Sequence, residues 1–226
     1  MVAITVFTNI KKESKISFLI YKIILFLSLC IYSHANQNQL KLYHTQSTNG
    51  DINATYQLGL IYYNGKIVKK DLDKAFFYFN IASDYGNQKA KFNKAMIFSQ
   101  KKFKNHSAED AYALFEELAK QNHTRSQYMV GYMLLKGIGV KANPKEALKW
   151  FEYSYFENNH IPSSCMIAII YANGFGTMQN LGRANDLAKV GIKHNLKLCK
   201  YITKEFKLYN YPEDKGFKFG YYSIFK

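Results

Sequence analysis

Apolar positions along the chain fall at helical spacing in paired segments, each pair separated by a short polar stretch. Ser126 to Lys136 (SQYMVGYMLLK) carries apolar residues at the i, i+3, i+4 spacing of a buried helix face. A glycine-bearing turn follows, and a second periodic segment opens at Asn143-Pro144-Lys145-Glu146. The same outline recurs three times more. Placing Ala75 under Ala111, Ala147 and Ala184 gives steps of 36, 36 and 37 residues. That register also aligns Tyr62, Phe98, Leu134 and Tyr171, and it aligns Gly59, Ala95, Gly131 and Ala168. A fixed period of this size predicts a stacked array of helix pairs.

The turn chemistry supports the register. Asp71, Ser107, Asn143 and Asn180 stand where each second helix should begin, and all four are good N-caps. Pro144 suits the first helical position, and Glu146 can complete a capping box with Asn143. Gly137 closes the preceding helix, Gly139 relaxes the turn, and Val140 can plug the gap beneath it. A phosphate-binding reading of these glycines fails, because neither a preceding strand nor a lysine-serine signature is present. Gly59, Ala95, Gly131 and Ala168 are small where the first helix should approach the second, opposite the alanine series. Phe79, Phe115 and Phe151 are then expected to fill the space between units.

The stretch from Ala54 to Ala90 resembles a Sel-1-like repeat, a relative of the tetratricopeptide repeat. Ala54, Leu58, Gly59, Tyr62, Gly65, Val68, Asp71, Lys74, Ala75, Phe79, Ala82 and Gly86 carry the likeness. The stretch from Ser126 matches through Gly131, Gly137, Gly139, Val140, Glu146, Ala147, Trp150 and Phe151. The second unit is degenerate, with Ala95 and Lys101 in place of glycines. The fourth keeps Tyr171, Gly174, Gly176 and Ala184 but has Ala188 where the aromatic stands. The resemblance implies an all-α fold, a right-handed α/α superhelix of about four helix-turn-helix repeats with capping helices at its ends. The repeats are expected over 54–89, 90–125, 126–162 and 163–195. Residues 36–53 would form an N-terminal cap, and residues 196–226 a C-terminal helix with a basic, aromatic tail. That tail is either packed on the last repeat or a membrane- or partner-binding strand.

By tetratricopeptide analogy the first helices line a concave surface. Its residues would be Tyr56, Leu60, Tyr63 and Asn64; Phe92, Met96 and Gln100; Tyr128, Tyr132 and Lys136; and Cys165, Ile169 and Asn173. Aromatics with polar tips suit protein-binding hot spots. Tyr56, Phe92 and Tyr128 recur in register, so they serve either the groove or the packing between helices.

Composition adds the setting. Nearly half the chain is hydrophobic, which suffices for a core and excludes a disordered polyelectrolyte. The net charge of +15 fits an acidic partner, an anionic membrane surface, nucleic acid, or simply a lysine-rich proteome. Lys11, Lys12, Lys15 and Lys22 precede or interrupt an apolar run over residues 16–32, and Ser33 and Ala35 suit a signal-peptidase site. Residues 1–35 therefore read as a signal peptide cut near Ala35–Asn36, or else as an uncleaved anchor. Removing them leaves 27 basic and 15 acidic residues, a net +12. It also removes Cys30 and leaves Cys165 and Cys199, which form either one disulfide in an oxidising compartment or two buried thiols.

No catalytic constellation emerges. His123 and His160 fall between units without a metal-ligand spacing, and they read as exposed loop residues. Glu116 and Glu117 lie on a helix face, and no serine has a nucleophile-elbow setting. The expectation is an exported, bacterial, non-enzymatic scaffold, monomeric by default and without cofactor or metal, that binds a protein in its groove. It would be periplasmic or secreted, or inner-membrane anchored through residues 16–32. The alternatives are an envelope enzyme acting on peptidoglycan or β-lactam-like substrates, for which no residues here speak, and an anionic-membrane module. Predicted export and the absence of a recognisable module argue against nucleic acid.

Overall fold

The computed structural model describes residues 22, 24–27, 34–212 and 214. The proposed signal or anchor segment and the terminal tail lie almost wholly outside these residues. The described residues include the helices α1 (described over 34–48), α2 (Ile52–Asn64), α3 (Leu72–Asp84), α4 (Gln88–Phe98), α5 (Ala108–Lys120), α6 (Thr124–Lys136), α7 (Pro144–Glu152), α8 (Ile161–Asn173), α9 (Leu181–Lys193) and α10 (Lys197–Glu205). No strand occurs among the described residues. None of their helices is long and apolar enough to cross a membrane. Two compact units form, Met1–Asn87 and Gln88–Lys226.

The helix-pair geometry follows from the repeating residues. Asp71, Ser107, Asn143 and Asn180 each cap a second helix, accepting from the backbone N–H three residues on, at 2.9–3.2 Å. The backbone N–H of the same four residues donates to Tyr62, Phe98, Leu134 and Tyr171 respectively, at 2.9–3.1 Å. Two registers visible in the sequence are thus tied by one repeating hydrogen bond, which folds each second helix back on its first. Glu146 does not complete the capping box. It accepts from the Asn143 side chain at 3.0 Å, while the Asn143 backbone is committed to Leu134.

Phe79, Phe115 and Phe151 are fully buried. Two of them fill the space above a glycine of their own helix pair. A Cβ on Gly59 would stand 2.5 Å from the Phe79 ring, and one on Gly131 about 3.0 Å from Phe151. The small residue makes room for the phenylalanine inside the pair, because the ring is the larger body to be seated. Gly139 has a stronger reason than a relaxed turn. Its φ is +66°, and a Cβ there would collide with the backbone at Ala108 and Glu109, where α5 begins.

In unit 1, α1 is joined to α2 by a hydroxyl pair, Ser47–Thr55 at 2.8 Å, and the Tyr62 and Tyr78 rings stack at 5.6 Å. In unit 2 each helix packs on its successor, and one core runs from Phe92 to Leu208. The degenerate second repeat closes its glycine-free loop with Phe103, which is buried and sits 6.2 Å from the Phe98 ring. After Glu152 the helix widens into a π-turn over Tyr153–Glu157, which the sequence pattern did not announce.

Candidate functional site

The first helices bring the candidate residues to comparable positions with different outcomes. Phe92 is 7% exposed, with its ring centre 5.4 Å from Phe115 and 5.1 Å from His123, and Arg125 stacks over it at 5.1 Å. Tyr56 lies 5.8 Å from Phe79, and Tyr128 lies 5.5 Å from Phe151 and 5.1 Å from His160. This series therefore packs each first helix onto the phenylalanine of its second. As a groove residue Phe92 is corrected: the core takes its ring. Burial raises the Tyr128 hydroxyl above its ordinary range, and Tyr132 adds to the effect. Cys165 is also removed from the surface. It is buried and joined to Cys199 in a disulfide between α8 and α10.

One turn further along each first helix the side chains stay half-exposed. Leu60 in unit 1, and Met96, Tyr132 and Ile169 in unit 2, all have this intermediate burial. Another turn on, Asn64, Lys136 and Asn173 are exposed, while Gln100 turns back to donate to the Met96 carbonyl at 3.1 Å. Tyr63 is half-buried, 6.3 Å from Phe79, with the Lys70 ammonium 5.0 Å over its ring. Each first helix thus offers a partly open apolar side chain next to a polar one.

His123 and His160 depart from the exposed-loop expectation. Both are half-buried. His123 Nδ1 accepts from the Ser126 backbone N–H at 3.2 Å and lies 2.8 Å from its hydroxyl. His160 Nδ1 lies 2.9 Å from the Ser163 hydroxyl. Burial lowers both imidazoles below their usual range, and the Arg125 charge lowers them further. The signal was present as His-x-x-Ser, at 123–126 and again at 160–163.

A half-buried carboxyl was also missed. Glu152 accepts from the Tyr171 hydroxyl at 3.2 Å, and the Arg183 guanidinium stacks 4.4 Å above the Tyr171 ring. Burial raises Glu152, with Tyr171 and Arg183 opposing it, and the Tyr171 hydroxyl is pushed up to about 12 by burial and by Glu152. The three residues tie α7, α8 and α9 together. Among the described residues, no three His, Cys, Asp or Glu side chains are grouped to hold a metal ion.

The Sel1 repeat profile matches residues 52–87, 124–155 and 162–190. The chain carries Sel1 repeats. The profile passes over the second repeat, where alanine and lysine stand for the glycines. Among curated Sel1 relatives, human Protein sel-1 homolog 2 is 24% identical over 174 residues, 76% of this chain and 24% of the human protein. The Rattus norvegicus protein of that name is 25% identical over 170 residues, 74% of this chain and 23% of its own. The chain thus spans about a quarter of the length of these relatives. A Sel1 repeat protein from Oxalobacter formigenes superposes with a TM-score of 0.65 at 23% identity, over 80% of this chain and 75% of that one. The antigen c5321, described as protective and present in uropathogenic Escherichia coli, has an SLR fold. It superposes with a TM-score of 0.63 at 21% identity, over 69% of this chain and 33% of its own. These likenesses show the fold, an all-α solenoid of Sel1 repeats. Such repeats are in general protein-interaction scaffolds, typically without catalysis.

Proposed function

We propose that this Sel1 protein is an exported, non-enzymatic scaffold that holds a segment of another protein against its first helices. The observation that carries the reading is one half-exposed side chain per repeat at the same helix position, Leu60 in unit 1 and Met96, Tyr132 and Ile169 in unit 2, the last three packed on the edge of the core with part of each still open. Apolar and aromatic side chains there can anchor a partner's side chains. Lys136 beside Tyr132 favours a segment carrying carboxylates, as does a net charge of +15. The basic, apolar leader supports export.

The test is a cross-linked pull-down from cells producing the tagged full chain, beside a Tyr63→Ala/Tyr132→Ala/Lys136→Ala variant with unchanged helical circular dichroism. A partner held by the parent and lost at least tenfold by the variant is the expected result. Equal capture by both would remove these residues from the binding surface. Cell fractionation of the same strain reports export.

A further inference from the structure

A slot of about 290 Å³ opens between α1 and α2 in unit 1. We propose that it holds the C-terminal end of an extended peptide, its free carboxylate against Lys66; this deepens the scaffold reading and rests on it.

Four amides line the slot, Asn36 and Gln39 from α1 and Gln57 and Asn64 from α2, and Gln39 already donates to the Tyr43 hydroxyl at 3.2 Å. The other three, Asn36, Gln57 and Asn64, and the Lys66 ammonium make no side-chain hydrogen bond to another described residue. An amide carries both a donor and an acceptor, the pair of groups a peptide backbone presents at each residue. Three of them in one slot match two or three successive peptide groups. Leu60 and Ile67, both half-buried, add an apolar lining beside these polar groups. No carboxylate lines the slot, so Lys66 has no acid there to neutralise it.

The slot's size and chemistry decide the occupant. A volume of about 290 Å³ lies at the lower edge of ligand pockets and suits a short chain end. A chain terminus brings a carboxylate, backbone amides and one last side chain within that compass. The carboxylate meets Lys66, the backbone meets the amides, and an apolar last side chain meets Leu60 and Ile67. Capture of a terminal carboxylate is a recurrent mode of peptide recognition, and a charge-assisted hydrogen bond is its strongest single contact.

The experiment probes the full chain with a random heptapeptide library presenting free C-termini, beside the same library C-terminally amidated. Binding is expected to enrich peptides with an apolar last residue. Resynthesised hits should bind at least tenfold more weakly when amidated. Lys66→Gln and Gln57→Ala/Asn64→Ala should lose the hits with circular dichroism unchanged, while Lys66→Arg retains them. Equal binding of free and amidated peptides would overturn the proposal in favour of an internal segment. No enrichment, or hits indifferent to Lys66→Gln, would also overturn it. Because the pull-down above turns on Tyr63, Tyr132 and Lys136, a captured partner indifferent to Lys66→Gln would refute the slot and leave the scaffold standing.

Discussion

His123 and His160 each stand three residues before a serine that their Nδ1 engages, and at His123, where Nδ1 accepts from the Ser126 backbone N–H, only a neutral imidazole can do so. Both are held below the ordinary imidazole range by burial, and then by Arg125. A base depressed in the fold binds its proton more readily in the unfolded chain. Its contribution is therefore complete above the unfolded value of about 6.5, and it is lost as the pH falls from there toward the folded value. Glu152 acts in the opposite sense: a carboxyl raised by burial binds its proton more readily in the fold, so it adds stability on acidification. The thermal midpoint is expected to fall as the pH is lowered from about 7.5 to 5, and His123→Asn/His160→Asn should flatten the slope, since asparagine does not titrate and can replace the His123 cap. A slope unchanged in the double variant would remove the histidines as its source. The His123 cap escaped the sequence reading because histidine is an uncommon cap. Whether Phe92 faced partner or core was equally hidden, since a ring at helical spacing serves either.

The elements meet at a second repeating feature. Gly50, Gly86, Asn122, Asn159 and Asn195 all have left-handed backbone, with φ between +51° and +88°, and they fall 36 or 37 residues apart. They end the second helices of successive pairs and turn the chain into the next first helix. Asparagine tolerates this conformation better than other residues with a Cβ, and glycine tolerates it best. Asn195→Ala is expected to cost about 1–2 kcal/mol and Asn195→Gly almost nothing, read from urea unfolding of the two variants. Equal losses would show that the side chain, which accepts from Lys200 at 3.3 Å, matters more than the backbone. The helix pairs, their caps and their period were legible because backbone capping uses few residue types. This turn series was not, because the residue type changes along it from glycine to asparagine. The slot was hidden for another reason. Asn36 and Gln57 become neighbours only when α1 packs on α2, and α1 precedes the first full repeat.

At the scale of the molecule, the disulfide joins helices 34 residues apart in sequence. Gly191 makes room for it: a Cβ there would strike the Cys199 sulfur and stand 2.8 Å from that of Cys165. By loop-closure entropy the bond is worth about 3–4 kcal/mol. Under denaturing, non-reducing conditions the processed chain is expected to show no free thiol, and the unprocessed chain one, Cys30. Reduction should add two in either case. Two free thiols in the processed chain before reduction would refute both the bond and an oxidising compartment.

The tie also sets a direction. Repeat arrays lose their units by steps that depend on nearest neighbours, and α8 and α10 are the elements bound covalently. An unfolding protease that enters at the N-terminal side can strip α1 through α7 one pair at a time. It then meets a closed loop of chain that cannot be drawn out as a single strand. Digestion under oxidising conditions should stall and release a C-terminal remnant beginning near α8, and the same digestion in reductant should run to the end.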